Sequence, residues 1–159
     1  MENYTKEKVV SLLNFMYGKP VGDAIGSMKL NFSYSSHTHR LKSVCIGTKL
    51  LAVVRSDGYI LLQHQGLKLF SNCADLQKKV IVADEAKPFV LQGKDVFAPF
   101  ISNFVGQHYA GEDSIICSKE MEPLGCGQLL LLPSETKFFK RGIAIKVRFG
   151  LGRNHNAAQ

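Results

Sequence analysis

Apolar residues near the start of the chain recur at helical spacing. The repeat runs from Val9 to Met16, which predicts a helix that Thr5 caps and that ends near Tyr17, because a glycine and a proline follow. The Gly-Asp-Ala-Ile-Gly sequence at residues 22–26 superficially resembles a phosphate-binding loop. No strand precedes it, however, and the lysine expected after its last glycine is missing, so we interpret it as a turn.

From residue 28 the apolar period changes to two, which predicts strands with one apolar face. A two-residue Gly-Thr link at positions 47 and 48 is of the kind that hairpins use. The strands are expected at residues 28–34, 41–46, 49–55 and 59–63, with a short helix at 66–70 and a connection at 71–77. A helix followed by an antiparallel meander predicts a compact α+β unit.

The second half begins with a β-branched run at residues 78–83 that predicts another strand. Two acidic residues then open a short helix at 86–92, which Gly93 ends, and an apolar strand follows at 95–102. This arrangement is too short for a parallel crossover, which takes about 30 residues or more. We therefore expect a small closed or half-closed sheet with the helix as a plug at one end.

Composition indicates a globular chain with a basic balance. The 159 residues are 45% hydrophobic and 21% charged, with a net charge of +7, and this length allows one ordinary domain or two small ones. Residues 1–75 carry nine basic side chains against five acidic ones, and residues 76–159 carry eleven against eight. Because the excess is spread over both halves, a polyanionic partner is favoured.

Several kinds of function have little support in the sequence. Apolar runs are far shorter than the ~20 residues that span a bilayer, and the first eight residues lack the plan of a signal peptide. We therefore expect a cytoplasmic protein with no membrane partner. The four cysteines are widely separated, and the His37–His39 pair lacks an obvious third metal ligand. With no nucleophile motif either, we expect no catalysis, metal or cofactor.

Four segments of the second half together resemble a known family. Residues 78–101, 109–117, 123–129 and 141–148 are similar, in this order, to the PUA domain, the small RNA-binding β-barrel named after pseudouridine synthases and archaeosine transglycosylases. The sequence from Arg40 to Tyr59 resembles the region that precedes this domain in archaeal tRNA-guanine transglycosylases of archaeosine synthesis. The 159 residues are too few for that enzyme's catalytic barrel, which takes about 250 residues, so we expect the chain to correspond to the enzyme's RNA-binding end.

The resemblance implies the fold class and the domain limits. It implies an α+β N-terminal unit followed by a mainly β PUA-like pseudo-barrel. The expected pre-PUA domain covers residues 1–75, the PUA domain 76–150 and a C-terminal tail 151–159. Three features depart from the family: Glu112 stands where aspartate is usual, residues 103–108 lack the family's acidic segment, and Gln128 occupies a place that is often basic.

The resemblance also implies an RNA-binding surface around the short helix, the glycine loop and the closing strand. The candidate residues are carried over by position, and the basic residues of the closing strand are extended back to Lys140. The full set is Lys87, Gln92, Gly93, Lys94, Asp95, Lys140, Arg141, Lys146 and Arg148. Independently, a glycine lets a sugar-phosphate backbone approach and meet its N–H. Strict alternation in the closing strand would turn Ile143, Ile145 and Val147 inward, and Ala144, Lys146 and Arg148 outward.

Phe97, Phe100 and Phe104 could stack on bases, but alternating aromatic residues in a strand favour a core role. The sequence therefore predicts a non-catalytic protein that binds structured RNA. The RNA partner implied is tRNA first and ribosomal RNA second, and a catalytic transglycosylase subunit is a further implied partner. One alternative is a translation or ribosome-biogenesis factor, and another is a protein-interaction module that works through apolar surface.

Overall fold

A computed structural model describes residues 2–152 of the chain. The chain divides into two compact units, one up to Phe70 and the other from Ser71. Of the predicted C-terminal tail at residues 151–159, all but the first two residues lie outside the described range. None of the described helices is long and apolar enough to cross a membrane.

The first unit begins with two helices where the sequence predicted one. Helix α1 spans Glu2–Tyr17 and α2 spans Lys19–Gly26. The prediction that Thr5 caps α1 is wrong, because Thr5 lies inside the helix and its hydroxyl bonds to that of Tyr34. The turn predicted at residues 22–26 is also wrong. Proline lacks the N–H that a helix interior needs, but it fits the first turn of a helix. Pro20 therefore does not continue α1 and lies in the first turn of α2.

The remaining elements of the first unit form an antiparallel sheet in chain order, as the meander predicted. Its strands are β1 (Asn31–Tyr34), β2 (Leu41–Ile46), β3 (Lys49–Val54) and β4 (Ile60–Leu62), and helix α3 (His64–Lys68) follows. Tyr17 joins helix and sheet: its buried hydroxyl donates to the Ile60 carbonyl and accepts from the Leu62 amide, both at 3.3 Å. A buried phenol is thereby satisfied in both hydrogen-bonding roles.

The second unit is a six-stranded sheet in the order β6-β10-β9-β8-β5-β7, in which only β5 and β8 run parallel among the described strands. Its strands are β5 (Lys79–Val82), β6 (Val96–Phe97), β7 (Ile101–Val105), β8 (Asp113–Cys117), β9 (Pro123–Leu129) and β10 (Ile143–Gly150). Helix α4 (Lys87–Leu91) contributes Val90 to the core, and α5 (Pro133–Thr136) lies between β9 and β10.

The two edge strands of this sheet are neighbours in the chain. The single strand predicted at residues 95–102 is in fact two short strands, β6 and β7, separated by a 3-10 turn at Ala98–Phe100. Pro99 lies in that turn and offers no N–H to a ladder. Because β6 pairs with β10 while β7 pairs with β5, the segment connects opposite edges and closes the sheet into a half-barrel. The predicted fold class is confirmed.

Candidate nucleic-acid interface

Helix α4 and the glycine loop after it lie directly beside the closing strand β10. The Gly152 amide donates to the Leu91 carbonyl at 3.0 Å, and the Val147 amide donates to the Asp95 carboxylate at 2.9 Å. Farther along, Phe97 is the partner of Ile143 in the β6–β10 ladder. Residues 91–98 therefore run antiparallel along β10, and the two predicted parts of the surface are adjacent.

Gly93 has the conformation that the sequence predicted. Its φ is 80°, a left-handed value that glycine adopts at little cost, and it follows the last turn of α4. Its amide, however, donates to the Val90 carbonyl at 2.9 Å. The expectation that this N–H would be open to a phosphate is therefore wrong. What the glycine offers at the surface is the absence of a side chain.

Two predicted residues of this region have structural partners. The Asp95 carboxylate is bound to β10 as described above. The Lys87 ammonium forms an ion pair with Glu122, and this hydrogen bond raises the pKa of Lys87. Lys94, in contrast, is exposed, and its Nζ lies 5.4 Å from the centre of the Phe89 ring, within the range of a cation–π contact. Gln92 is exposed on the same loop.

Strand β10 does not alternate as predicted, because its pairing is interrupted twice. The register shifts between Ile143 and Ile145 against β6, and again between Val147 and Phe149 against β9. A bulge places two consecutive residues opposite one partner and breaks the two-residue period. Ala144 is consequently fully buried, not outward, and Ile143 is 37% exposed, not inward. Both assignments from strict alternation are wrong.

The basic residues in β10 and in the segment just before it differ in whether they bind a protein partner. Lys140, Arg141 and Lys146 are exposed. Arg148 is only partly exposed and grips Asp113 with two hydrogen bonds, from Nε at 3.2 Å and from Nη2 at 2.8 Å. This planar, two-bond geometry is the strong form of an arginine–carboxylate pair.

An apolar cleft opens between the glycine loop and the start of β10. It encloses about 620 Å³ and is walled by Phe89, Phe97, Phe100 and Ile143. These side chains are 50%, 47%, 39% and 37% exposed, respectively. The core role favoured for Phe97 and Phe100 is therefore wrong, whereas Phe104 does pack against the core. The sequence contained a signal against a shared core role for these two residues. Phe97 and Phe100 are three positions apart, with Pro99 between them, and a continuous strand would place them on opposite faces.

A polar cluster surrounds Glu112, and its members do not line the cleft. Lys78 Nζ is 3.0 Å from Glu112 Oε2, and His108 Nδ1 is 3.3 Å from Oε1. Burial raises the pKa of Glu112, but the contacts with His108 and Lys78 outweigh burial, so its pKa lies below the ordinary value. Among residues 2–152, no group of three or more His, Cys, Asp or Glu side chains is placed to hold a metal ion.

Comparison with family models accounts for both halves of the chain. The model of the patch-forming domain C2 of tRNA-guanine transglycosylase matches residues 7–76, and the model of the PUA domain matches residues 78–151. The chain is similar to a C2 domain followed by a PUA domain. The similarity inferred from the sequence is therefore confirmed for both parts of the chain.

Curated relatives with the same sequence features are longer. The tRNA-guanine(15) transglycosylase of Methanobrevibacter smithii is 29% identical over 91% of this chain but only 22% of its own length. The enzyme of the same name from Thermococcus kodakarensis is 28% identical over 94% of this chain and 27% of its own length. The chain thus spans about a quarter of the length of these relatives and corresponds to their C-terminal region.

Solved structures support the fold over nearly the whole chain. A hypothetical protein from Pyrococcus horikoshii matches with a TM-score of 0.73 at 21% identity and covers 94% of this chain and 91% of its own. A conserved PUA domain protein from Thermoplasma acidophilum matches with a TM-score of 0.65 at 20% identity, covering 94% and 92%. These structures show the fold alone, whereas the PUA match and the similarity to the C-terminal part of the transglycosylases support RNA binding.

Proposed function

We propose that this protein binds structured RNA without chemistry of its own, with tRNA as the favoured partner. Its relatives named tRNA-guanine(15) transglycosylase support the choice of tRNA. We further propose that it supplies RNA binding to a catalytic transglycosylase subunit, a partner suggested by the name of these relatives. We also propose a cytoplasmic location, which would fit a role in tRNA binding.

The observation that carries the proposal is the face formed by the glycine loop, the apolar cleft and the basic approach to β10. The Ala98 amide donates to the Gly142 carbonyl at 3.0 Å. This bond joins the residue after Arg141 to the residue after Phe97, which lines the cleft. Lys94 lies on the other rim of the cleft. Phosphates favour the cations, and the faces of a base or ribose favour the aromatic walls. RNA offers both chemistries along one strand.

Within this face we assign different roles to the candidate residues. Those whose polar groups face solvent would contact RNA directly: Gln92, Lys94, Lys140, Arg141 and Lys146. Gly93 would let the RNA backbone approach closely. Lys87, Asp95 and Arg148 would act by fixing the shape of the face, since each already holds a protein partner. We retain residues 1–75 and 76–150 as the domain limits, with the second domain carrying this face.

Binding titrations with a tRNA transcript, a ribosomal RNA fragment and duplex DNA of equal length test the proposal. We expect the tRNA to bind most tightly and its affinity to fall steeply between about 50 and 200 mM salt. Arg141→Gln should weaken tRNA binding and reduce the salt slope by about one, as expected when one phosphate contact is lost.

Lys119→Gln provides a matched control in the same unit. Lys119 is exposed, lies 3.7 Å from Asp84 and does not line the cleft, so its loss should leave the affinity and slope nearly unchanged. Equal binding of tRNA and DNA would contradict recognition of structured RNA. Preference for the ribosomal fragment would favour a ribosome-biogenesis role, and unchanged affinity in the Arg141 variant would exclude this face.

A further inference from the structure

Two cysteine side chains of the second unit lie in contact in its interior. Cys73 belongs to the connection at residues 71–77, and Cys117 is the last residue of strand β8. Both side chains are fully buried, and the Cys117 thiol donates a hydrogen bond to the Cys73 sulfur. Both cysteines are free. The two sulfur atoms that a disulfide would join are therefore neighbours in the reduced protein.

Main-chain hydrogen bonds hold Cys73 in this position. Its amide donates to the Met121 carbonyl at 2.6 Å, in the turn that follows β8. Its carbonyl accepts the Lys79 ammonium at 2.6 Å, and the same ammonium also donates to the Ala74 carbonyl at 2.9 Å. Because both main-chain groups of Cys73 are bound, the fold itself keeps its side chain next to Cys117.

A buried positive charge lies beside the thiol pair. Ile81 of β5 is the ladder partner of Cys117, and Lys79 lies two positions before it, so the Lys79 and Cys117 side chains share one face of the sheet. Lys79 is only 4% exposed. The hydrogen bond from Cys117 and the charge of Lys79 lower the pKa of Cys73, although burial opposes them. The same hydrogen bond and burial raise the pKa of Cys117. Cys73 is therefore the nucleophile of the pair, because the thiolate is the reactive form of cysteine.

The other two cysteines lie in different surroundings. Cys45 is half-buried on strand β2 of the first unit. Cys126 is fully buried on β9, opposite Ile115, and burial raises its pKa well above the ordinary value. A buried thiol that stays protonated is inert. Cys45 and Cys126 therefore serve as internal references for the reactivity of Cys73.

We propose that Cys73 and Cys117 form an oxidative modification site, in which a peroxide converts the thiol pair to a disulfide. The Cys73 thiolate attacks one peroxide oxygen, the O–O bond breaks, and the released hydroxide takes up the proton that Cys73 lost. This step leaves a sulfenic acid and one water. The Cys117 sulfur then attacks the Cys73 sulfur, the S–O bond breaks, and the hydroxide leaves with the Cys117 proton as a second water. The two thiols lose two electrons, and the peroxide gains them.

The connection at residues 71–77 provides access to the buried pair. It contains no helix or strand, and a segment without regular structure opens at a lower free energy than the whole fold. The disulfide would then tie this connection to β8. Because cytoplasmic disulfides are mostly transient, we expect a thiol reductant to restore the reduced pair. Neither cysteine lines the apolar cleft, so this site is independent of the proposed RNA binding.

Hydrogen peroxide treatment of the folded full chain, followed by alkylation and peptide mass spectrometry, tests the site. We expect the wild type to lose two of its four free thiols and to yield one cross-linked peptide pair that contains Cys73 and Cys117. Dithiothreitol should reverse the cross-link. The oxidised protein should melt about 5–10 °C higher than the reduced one, because the new bond closes a long loop.

Three variants separate the two steps. Cys117→Ser keeps a hydrogen-bond donor beside Cys73 but removes the second sulfur, so dimedone should trap a sulfenic acid at Cys73. Cys73→Ser should give neither the cross-link nor dimedone labelling at this site. Cys45→Ser is the matched control and should form the cross-link like the wild type. Melting of each reduced variant checks that it folds. A cross-link between other cysteines would overturn the proposal, as would a wild type whose Cys73 and Cys117 react only after unfolding in urea.

Discussion

Replacing Arg148 by methionine separates a structural role of this residue from an RNA-binding one. Its guanidinium is the two-bond partner of Asp113, whose side chain is only 5% exposed. Methionine keeps the apolar stem but leaves the carboxylate buried without its counter-charge. We therefore expect Arg148→Met to destabilise the second unit far more than it weakens RNA contact.

The magnitude follows from the burial of the pair. Breaking a buried ion pair costs about 3–5 kcal/mol. Since the Arg148 side chain retains 24% exposure, water screens part of the interaction, and we expect the lower end, about 3 kcal/mol. A typical domain has only about 5–15 kcal/mol of stability, so the loss would be visible as a large fall in the urea midpoint.

Urea unfolding at neutral pH, followed by circular dichroism, measures this effect. Lys119→Met is the control, since it removes an exposed pair with Asp84 and should cost at most about 1 kcal/mol. Adding Asp113→Asn to Arg148→Met removes the buried charge that Arg148 balances in the wild type and should restore part of the stability. If Arg148→Met unfolds like the control while tRNA affinity collapses, then Arg148 serves RNA and the structural interpretation fails.

Two further predictions concern stability. Gly150→Ala should cost about 1–3 kcal/mol and lower the melting temperature, because the added Cβ would meet the Val90 carbonyl oxygen at 2.0 Å; an unchanged melting temperature would contradict this packing. The lowered pKa of Glu112 means that its contacts with His108 and Lys78 stabilise the fold above the ordinary carboxyl pKa of about 4.3 and lose this effect as the pH falls through the folded value. Melting curves of Glu112→Gln between neutral pH and pH 3 should therefore show lower stability at neutral pH and a weaker acid dependence than the wild type; parallel curves would refute the assignment.

The sequence predicted those features that local chemistry determines. Glycine ended α4 where a left-handed residue was needed, and the Gly47-Thr48 link joined β2 and β3 as expected. The second helix was missed because a proline after a glycine indicates an end as readily as a new start. Only the packing of α2 on α1 decides between the two.

The surface was less predictable than the fold, because it depends on pairing between distant segments. Whether Phe97 faces a core or a cleft depends on the turn at Pro99, which sends the following strand to the other edge of the sheet. Similarly, the partner of Arg148 lies two strands away on β8, and no spacing in the sequence reveals it. The positions of the basic residues can be read from the sequence, but the sequence does not show which of them already bind a protein carboxylate.

The two bulges of β10 also affect how this strand should be compared with others. In this strand an odd or even position does not tell whether a side chain points to the core or to solvent. Ala144 and Ile145 are both buried, and Lys146 is exposed. A closing strand one residue shorter at the first bulge would present the same isoleucine and lysine to solvent in regular alternation. Equivalent side chains in related proteins should therefore be matched by their ladder partners, because matching by position number would equate the buried Ile145 with a surface cation.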